Sequence, residues 1–477
     1  MGAGPPEVPR FYKPVDGWAA DVIPFYWQGE YHLFYLKDYR DPERHGPGTP
    51  WEHLGTRDFV HFTEYPQALA RGPRHAQDLW VFTGSVIEQN GLFHIFYTGH
   101  NRLLVEQRRP KEAVMHATST DLIQWTKDPA NPILLAPLDR YESDDWRDPF
   151  VFWNEEDGEY WMLLAARLRG GPSRRRGCVA LASSPDLVHW TVRDPFWAPH
   201  LYYTHECPDL FRMGDWWCLV YSTYSERTVT HYRMSRSLSG PWQAPPADDT
   251  FDDRAFYAAK TVSDGARRFA CGWNPTREGS SDAGQWHWGG SLVFHEIIQA
   301  PDGTLRVHVP DEVAAAFARP KQAVFQPTIG TWRQGGTTIT GDAGNGYAAC
   351  RLGPMATCCR LSVELTCTPG TRACGVLLHA DEGLDTYYEV RWEPTARRIV
   401  FDRWPRPGDQ PFMLERQLDL PSDRPIRLQI FADDTIVEVY ADDRIALSAR
   451  AYDHRAGEWG LFVYEGAATF RDCELAE

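Results

Sequence analysis

The sequence predicts an all-β protein, a five-bladed β-propeller followed by a C-terminal β-sandwich. Three observations carry that prediction. Aromatic residues form 13% of the 477 residues, beside 38 Gly and 36 Pro, a composition suited to strands and turns. A glycine followed by an aromatic strand recurs five times. A turn-like signature recurs in step with it. The length also exceeds what one hydrophobic core usually serves, so two domains are expected.

The glycine–strand unit runs from Gly29 to Tyr35, Gly91 to Tyr97, Gly158 to Leu163 and Gly214 to Tyr221, with a weaker copy from Gly265 to Cys271. The second signature is Thr56-Arg57-Asp58-Phe59, then Ser119-Thr120-Asp121-Leu122 and Ser184-Pro185-Asp186-Leu187, with Ser235-Arg236-Ser237-Leu238 as a degenerate fourth. Repeats of roughly 50 residues made of short strands and turns are propeller blades. Five copies predict five blades.

The repeat also places three acids. Asp21, Asp148 and Glu206 each lie a few residues before a repeat glycine, on the first strand of blades one, three and four. First strands line the central channel of a propeller, so the three carboxylates are predicted to meet in one funnel. The matching strands of blades two and five contain Trp80, Phe82, Thr83 and Ser85, and Tyr257 and Lys260. They offer neutral polar and aromatic walls, with Lys260 as either a contact for an anionic group or a partner for one of the acids. Asp38, beside Lys37 at the end of a channel strand, is a further polar candidate. Trp80, Trp273, Trp286 and Trp288 are candidates for stacking on a sugar ring, weighed against a plain core role. His205 and Cys207 flank Glu206 and are placed to tune it.

Beyond Trp288–Phe294 the blade pattern ends. Pro310–Phe317 reads as a short helix, with Pro and two acids in its first turn. From Ala323 alternating strands return without the blade signature, in Leu361–Thr366, Tyr387–Trp392 and Thr435–Tyr440, with the turn rhythm of a sandwich. The expected division is 1–308 for the propeller, 309–322 for a short helical linker and 323–477 for the sandwich. No low-complexity linker separates them, which predicts firm packing.

A net charge of −16 disfavours nucleic acid and anionic membrane as partners. No stretch approaches the roughly 18 apolar residues of a membrane helix. Met1 to Pro14 contains no apolar signal core, and the ten cysteines form no CxxC pair, so a cytoplasmic chain with reduced thiols is expected. Asp248-Asp249 and Asp252-Asp253 suit either a Ca²⁺ site or a solvated loop, the second being the commoner case.

Three acids on inner strands satisfy the needs of a glycosidase, which places two carboxyl groups across the scissile bond. The third can grip sugar hydroxyls and hold the adjacent Arg147. A single buried Asp is as readily a turn cap or an Arg partner; three at one repeat position are not.

Here the residues carry a resemblance. Arg147-Asp148-Pro149 and Glu206-Cys207-Pro208-Asp209 resemble the two most diagnostic motifs of glycoside hydrolase family 32, the invertase, inulinase and levanase group. Phe82-Thr83-Gly84-Ser85 and Phe256-Tyr257-Ala258-Ala259 are similar to its Phe-Ser-Gly-Ser and Phe-Tyr-Ala-Ala stretches, and Ile430–Tyr440 to its C-terminal signature. The resemblance implies retaining hydrolysis of β-fructofuranosides, with Asp21 as nucleophile, Glu206 as acid/base and Asp148 as transition-state stabiliser. It implies a low pKa for Asp21, a raised one for Glu206, and no cofactor or metal ion. The chain departs from the family at Ala20 and Val22-Ile23-Pro24 around Asp21, and at Leu36-Lys37-Asp38-Tyr39, where the family has Gln-Tyr-Asn-Pro. Those positions shape the sugar subsite, which leaves open another furanoside or transfer of fructose to a second sugar.

Competing readings are an inverting arabinanase-like propeller of the related family 43 and a propeller that binds carbohydrate without cutting it. The Glu-Cys-Pro-Asp motif and the sandwich oppose the first, and retention of all three acids opposes the second. The expected partner is a small carbohydrate, and the sandwich is compatible with a sugar-binding module or a homodimer interface.

Overall fold

In the computed structural model, residues 11–406, 408–409 and 413–477 are described. The first ten residues, part of the Met1–Pro14 stretch read as lacking a signal core, lie outside them.

The first signature folds as the expected hairpin. Each repeat glycine turns the chain between the innermost strand of a blade and its neighbour. Blade one comprises Trp18–Trp27, Glu30–Asp38, Trp51–Thr56 and Phe62–Leu69. Blade two is Trp80–Gln89, Leu92–His100, Glu112–Ser119 and Thr126–Lys127, and blade three is Arg147–Asn154, Glu159–Arg167, Gly177–Ser184 and Thr191–Val192. Blade four has the strands Glu206–Met213, Trp216–Thr223 and Val229–Ser235. Blade five has Tyr257–Ser263, Arg268–Arg277, Trp286–Gln299 and Leu305–His308. All pairings are antiparallel, and the five innermost strands touch in a closed ring. Blade five also joins blade one, through the pair Ala19 and Gly290 and the bond from Leu292 N to the Tyr12 carbonyl.

The second signature makes the turn after the third strand of a blade. Asp121 Oδ1 accepts the backbone N–H groups of Ile123 and Gln124, and Asp186 and Asp58 do the same for their own loops. Phe59, Leu122 and Leu187 take positive φ in these loops and are buried, so each turn is pinned by an Asp cap and a buried apolar side chain. The propeller repeat is thus written twice, once in glycine and once in Asp–Leu.

The short helix observed is Asp311–Ala315, with Pro310 just before it. The strand Pro320–Lys321 then pairs with the C-terminal strand Glu458–Ala476. That strand runs alongside Thr338–Pro354, Cys358–Cys367 and Ala373–Ala380 in a 13-stranded sheet. Register shifts at Asp342, Gly344 and Arg351 bend the sheet around a second apolar core that contains Leu361, Trp392, Ile430 and Phe470.

The acidic quartet at 248–253 is neither solvated nor a free cation loop. Its members tie the two layers together and pair within blade four. Asp252 accepts from Ser448 N and Ser448 Oγ and pairs with His295, Asp248 holds Arg416, Asp253 accepts from Glu415 N, and Asp249 pairs with His231. Asp252, His295 and Glu438 bring ligand-type atoms within 4.8 Å of one another. Their lone pairs and protons are already engaged by Ser448, Asn274 and Tyr440. The burial of the quartet comes from the sandwich docking on blades four and five, which no local sequence pattern announces. Among the described residues, no helix is long and apolar enough to cross a membrane.

Candidate active site

Every innermost strand is interrupted at the same level by a β-bulge, and the site is built on those bulges. Asp21 is the extra residue between Ala20 and Val22, which pair with the adjacent Leu36 and Tyr35. Thr83 is the extra residue in blade two. Asp148-Pro149, Cys207-Pro208 and Ala258-Ala259 are the bulged pairs of blades three, four and five. A bulge re-aims a side chain that a regular strand would send into the flank of the blade. Asp148, Cys207 and Ala258 adopt positive φ there. Gly84 follows the blade-two bulge because a Cβ would lie 1.9 Å from the carbonyl oxygen of Phe96.

Hydrogen bonds join the bulges around the ring. Thr83 Oγ1 donates to Asp21 Oδ2 at 2.7 Å, and Thr98 Oγ1 donates to the Thr83 carbonyl at 3.0 Å. Asp148 N donates to Thr98 Oγ1 at 2.7 Å, and Cys207 N to Asp148 Oδ2 at 2.9 Å. Tyr257 donates its hydroxyl to Glu206 Oε2 at 2.5 Å, while Arg147 Nη2 donates to Glu206 Oε1 at 2.8 Å. Trp273 Nε1 closes the circuit on Asp21 Oδ1 at 3.0 Å. Asp21 and Glu206 are each held by two side-chain donors, and Asp148 by the N–H of Cys207.

They line a cavity of about 330 Å³ with Phe82, Arg147, Cys207, Tyr224, Thr228, Arg254, Tyr257, Ala258, Trp273, Trp286, His287 and Trp288. That is near the lower end for small-molecule sites and suits a short saccharide. Burial pushes the pKa of Glu206 up, against Arg147 and Tyr257, which pull it down. Burial likewise raises Asp148, to about 7, with Arg147 opposing. Asp21 departs from the expected low value: burial raises it too, and the bonds from Thr83 and Trp273 only partly offset this. Removing water from the ring costs every carboxylate its hydration, and only Arg147 brings a compensating full charge.

The predicted residues separate into two groups. Asp21, Asp148, Glu206, Arg147, Phe82, Tyr257 and Trp288 face the cavity, as do Trp273, Trp286 and Cys207. Thr83 stands behind Asp21. Ser85 is buried and accepts from Val151 N, tying blade two to blade three. Lys260 is 2% exposed and donates to the Pro208 carbonyl at 2.9 Å, so it supports the blade-four strand from behind and touches neither any of the three acids nor the cavity. Asp38 holds Arg40, which spans to Thr276 and the carbonyls of Trp288 and Gly289 at the rim. Trp80 stands outside the wall with Arg102 over its ring. His205 is fully buried among Trp197, Tyr202 and Tyr221, and desolvation drives its pKa down to about 3, so it stays neutral.

Tyr224, Thr228, Arg254 and His287 were not legible as site residues. Tyr224 and Thr228 lie in the loop between two strands of blade four, and Arg254 precedes the inner strand of blade five. Loops carry no repeat signature to read.

Trp273→Phe removes one of the two donors on Asp21. Since that bond lowers the pKa of Asp21, its loss is expected to raise the pH at which Asp21 takes up its proton, which an NMR titration of the carboxyl carbon in parent and variant checks.

Comparison with known proteins matches "Glycosyl hydrolases family 32 N-terminal domain" over residues 11–306 and "Glycosyl hydrolases family 32 C terminal" over 331–477. A sucrose-6-phosphate hydrolase of Zymomonas mobilis is 26% identical, over 97% of this chain and 90% of its own length. A raffinose invertase of Escherichia coli is also 26% identical, over 97% of this chain and 93% of its length. The crystal structure of an exo-inulinase from Aspergillus awamori superposes with a TM-score of 0.75 at 18% identity, covering 98% of this chain and 97% of that one.

Proposed function

The chain belongs to glycosyl hydrolase family 32, and from that premise we propose that it hydrolyses short β-fructofuranosides through a covalent intermediate on Asp21. The observation that carries the reading is the convergence of Asp21, Asp148 and Glu206 on one cavity, each at or directly beside the bulge of a different blade. A carbohydrate-binding propeller has no use for a carboxyl that burial biases towards its protonated form beside a second one.

Asp21 attacks the anomeric carbon, C2 of the fructosyl unit, as the bond from C2 to the glycosidic oxygen breaks. Glu206 gives its proton to that oxygen, and the second sugar leaves as an alcohol. Glu206, now a carboxylate, takes a proton from water, whose oxygen attacks C2 and frees Asp21. Asp148, anchored by the N–H of Cys207, faces the ring hydroxyls. Phe82, Trp286 and Trp288 give the cavity apolar faces that suit sugar rings. The division into a catalytic propeller (1–308), a linker (309–322) and a supporting sandwich (323–477) is part of the same proposal. So is a cytoplasmic setting, with which ten free cysteines, nine of them buried, agree.

The test is release of fructose from sucrose, raffinose and short inulin and levan oligosaccharides, beside synthetic β-furanosides of other sugars. Fructose release supports the reading. Release from another furanoside alone would move the substrate.

Arg254 favours one refinement. Its Nη1 is buried with no hydrogen-bond partner, its guanidinium stands 5.0 Å from the centre of the Trp286 ring, and desolvation draws its pKa down to about 10. A guanidinium whose Nη1 is left without a hydrogen-bond partner at the cavity suits an anionic substituent on the departing sugar. Arg254→Gln is expected to lower kcat/KM about 10- to 100-fold on sucrose carrying a phosphate ester and less than about threefold on sucrose. Equal losses on both would assign Arg254 to the sugar itself.

A further inference from the structure

Arg147 is bonded to more negative charge than its contact with Glu206 requires. Its Nη2 meets Glu206 Oε1 at 2.8 Å, and its Nε lies 3.7 Å from Asp148 Oδ2. On its other side Nη1 donates to Glu112 Oε2 at 3.3 Å and to Asp145 Oδ1. Neither Glu112 nor Asp145 lines the cavity, and both are more than nine-tenths buried. Glu112 is fixed on the third strand of blade two by Trp146 N at 3.0 Å and by His100 Nδ1 at 3.1 Å. Asp145 also lies 3.6 Å from Arg167 Nε.

A guanidinium 2.8 Å from a carboxylate favours its ionised form. A general acid has to carry its proton at working pH. With Arg147 alone beside it, Glu206 would be held in the wrong state for cleavage. Two extra carboxylates, placed where no substrate reaches, take up that positive charge without removing the donor that orients Glu206.

We propose that Glu112 and Asp145 are positioning residues that share the charge of Arg147 and so keep Glu206 protonated for its first step. The inference rests on Glu206 being the acid/base. The other groups facing Glu206 are the Tyr257 hydroxyl from blade five, Asp21 from blade one, Asp148 from blade three and the Tyr224 ring from blade four. Those facing Glu112 and Asp145 are His100, Lys111 and Arg167, with the Tyr224 hydroxyl near Asp145 as well as Glu206. Removing one negative charge at Glu112 leaves more of the Arg147 field on Glu206, which favours loss of its proton.

The test is the pH dependence of kcat/KM on sucrose for the parent, Glu112→Gln, Asp145→Asn and Glu112→Asp. The basic limb is expected about one pH unit lower in the first two variants, so that above the parent's limb they lose about tenfold more activity than below it. Glu112→Asp is expected to return the limb towards the parent's. β-D-Fructofuranosyl fluoride, whose leaving group needs no proton, is expected to be cleaved at the parent's rate by both charge-removing variants. An unmoved limb with a uniform loss on both substrates would overturn the proposal and assign the pair to the fold alone. Either variant suffices, so poor folding of one leaves the other to decide. Should Glu206→Gln itself keep the basic limb, the fault would lie in the acid/base assignment, a separate result.

Discussion

Asp21→Asn is expected to lower sucrose turnover by about 10⁴-fold or more, while binding of the sugar changes only a few-fold. Asn preserves the volume of Asp21 and its contact with Thr83 Oγ1 or Trp273 Nε1, but its amide cannot form the ester that stores the sugar. The fold is indifferent to the change, because the residue is an extra one in a bulge and contributes no ladder pairing. Stopped assays for turnover and calorimetry for binding separate the two effects. A variant that loses binding in step with turnover would give Asp21 a merely structural part.

Glu206→Gln is expected to cost about 10²- to 10⁴-fold on sucrose, where a proton has to reach the leaving oxygen. Its signature is the selectivity of the loss. Formation of the intermediate from fructosyl fluoride survives, because fluoride leaves unprotonated, whereas breakdown slows because no base activates water. Added azide, an anion that needs no base, is expected to restore breakdown and to yield fructosyl azide. The basic limb of the pH profile disappears with the carboxyl group. Tyr257 and Arg147 keep partners in the amide variant, since its oxygen can still accept from Arg147 Nη2 while its NH2 donates to the Tyr257 oxygen.

The fold was legible because a propeller repeats. Glycine at each inner hairpin and Asp–Leu at each outer turn answer local demands of the backbone, and local demands leave local signatures. The three acids were legible for the same reason, as they fall at one phase of the repeat. Their exact aim was not. It depends on bulges at Asp21, Asp148 and Cys207, which show in the sequence only as a Pro or Gly nearby. Lys260 was misplaced because its presence on an inner strand was read as access to the channel, whereas its ammonium turns to the Pro208 carbonyl of the next blade. The low pKa expected for Asp21 failed because burial of the whole ring outweighs two neutral donors. Arg254 and Tyr224 come from loops, and the acidic quartet from docking of the second domain; both are contacts of tertiary structure, with no period to betray them.

The central claim is a covalent fructosyl ester on Asp21. Glu206→Gln treated with β-D-fructofuranosyl fluoride, quenched in acid and digested, tests it most directly, because formation proceeds and hydrolysis stalls. The account predicts one added hexosyl unit per chain, on the peptide that contains Asp21, and none when Asp21→Asn is added. Fluoride release without any adduct, or an adduct on a different residue, would contradict it.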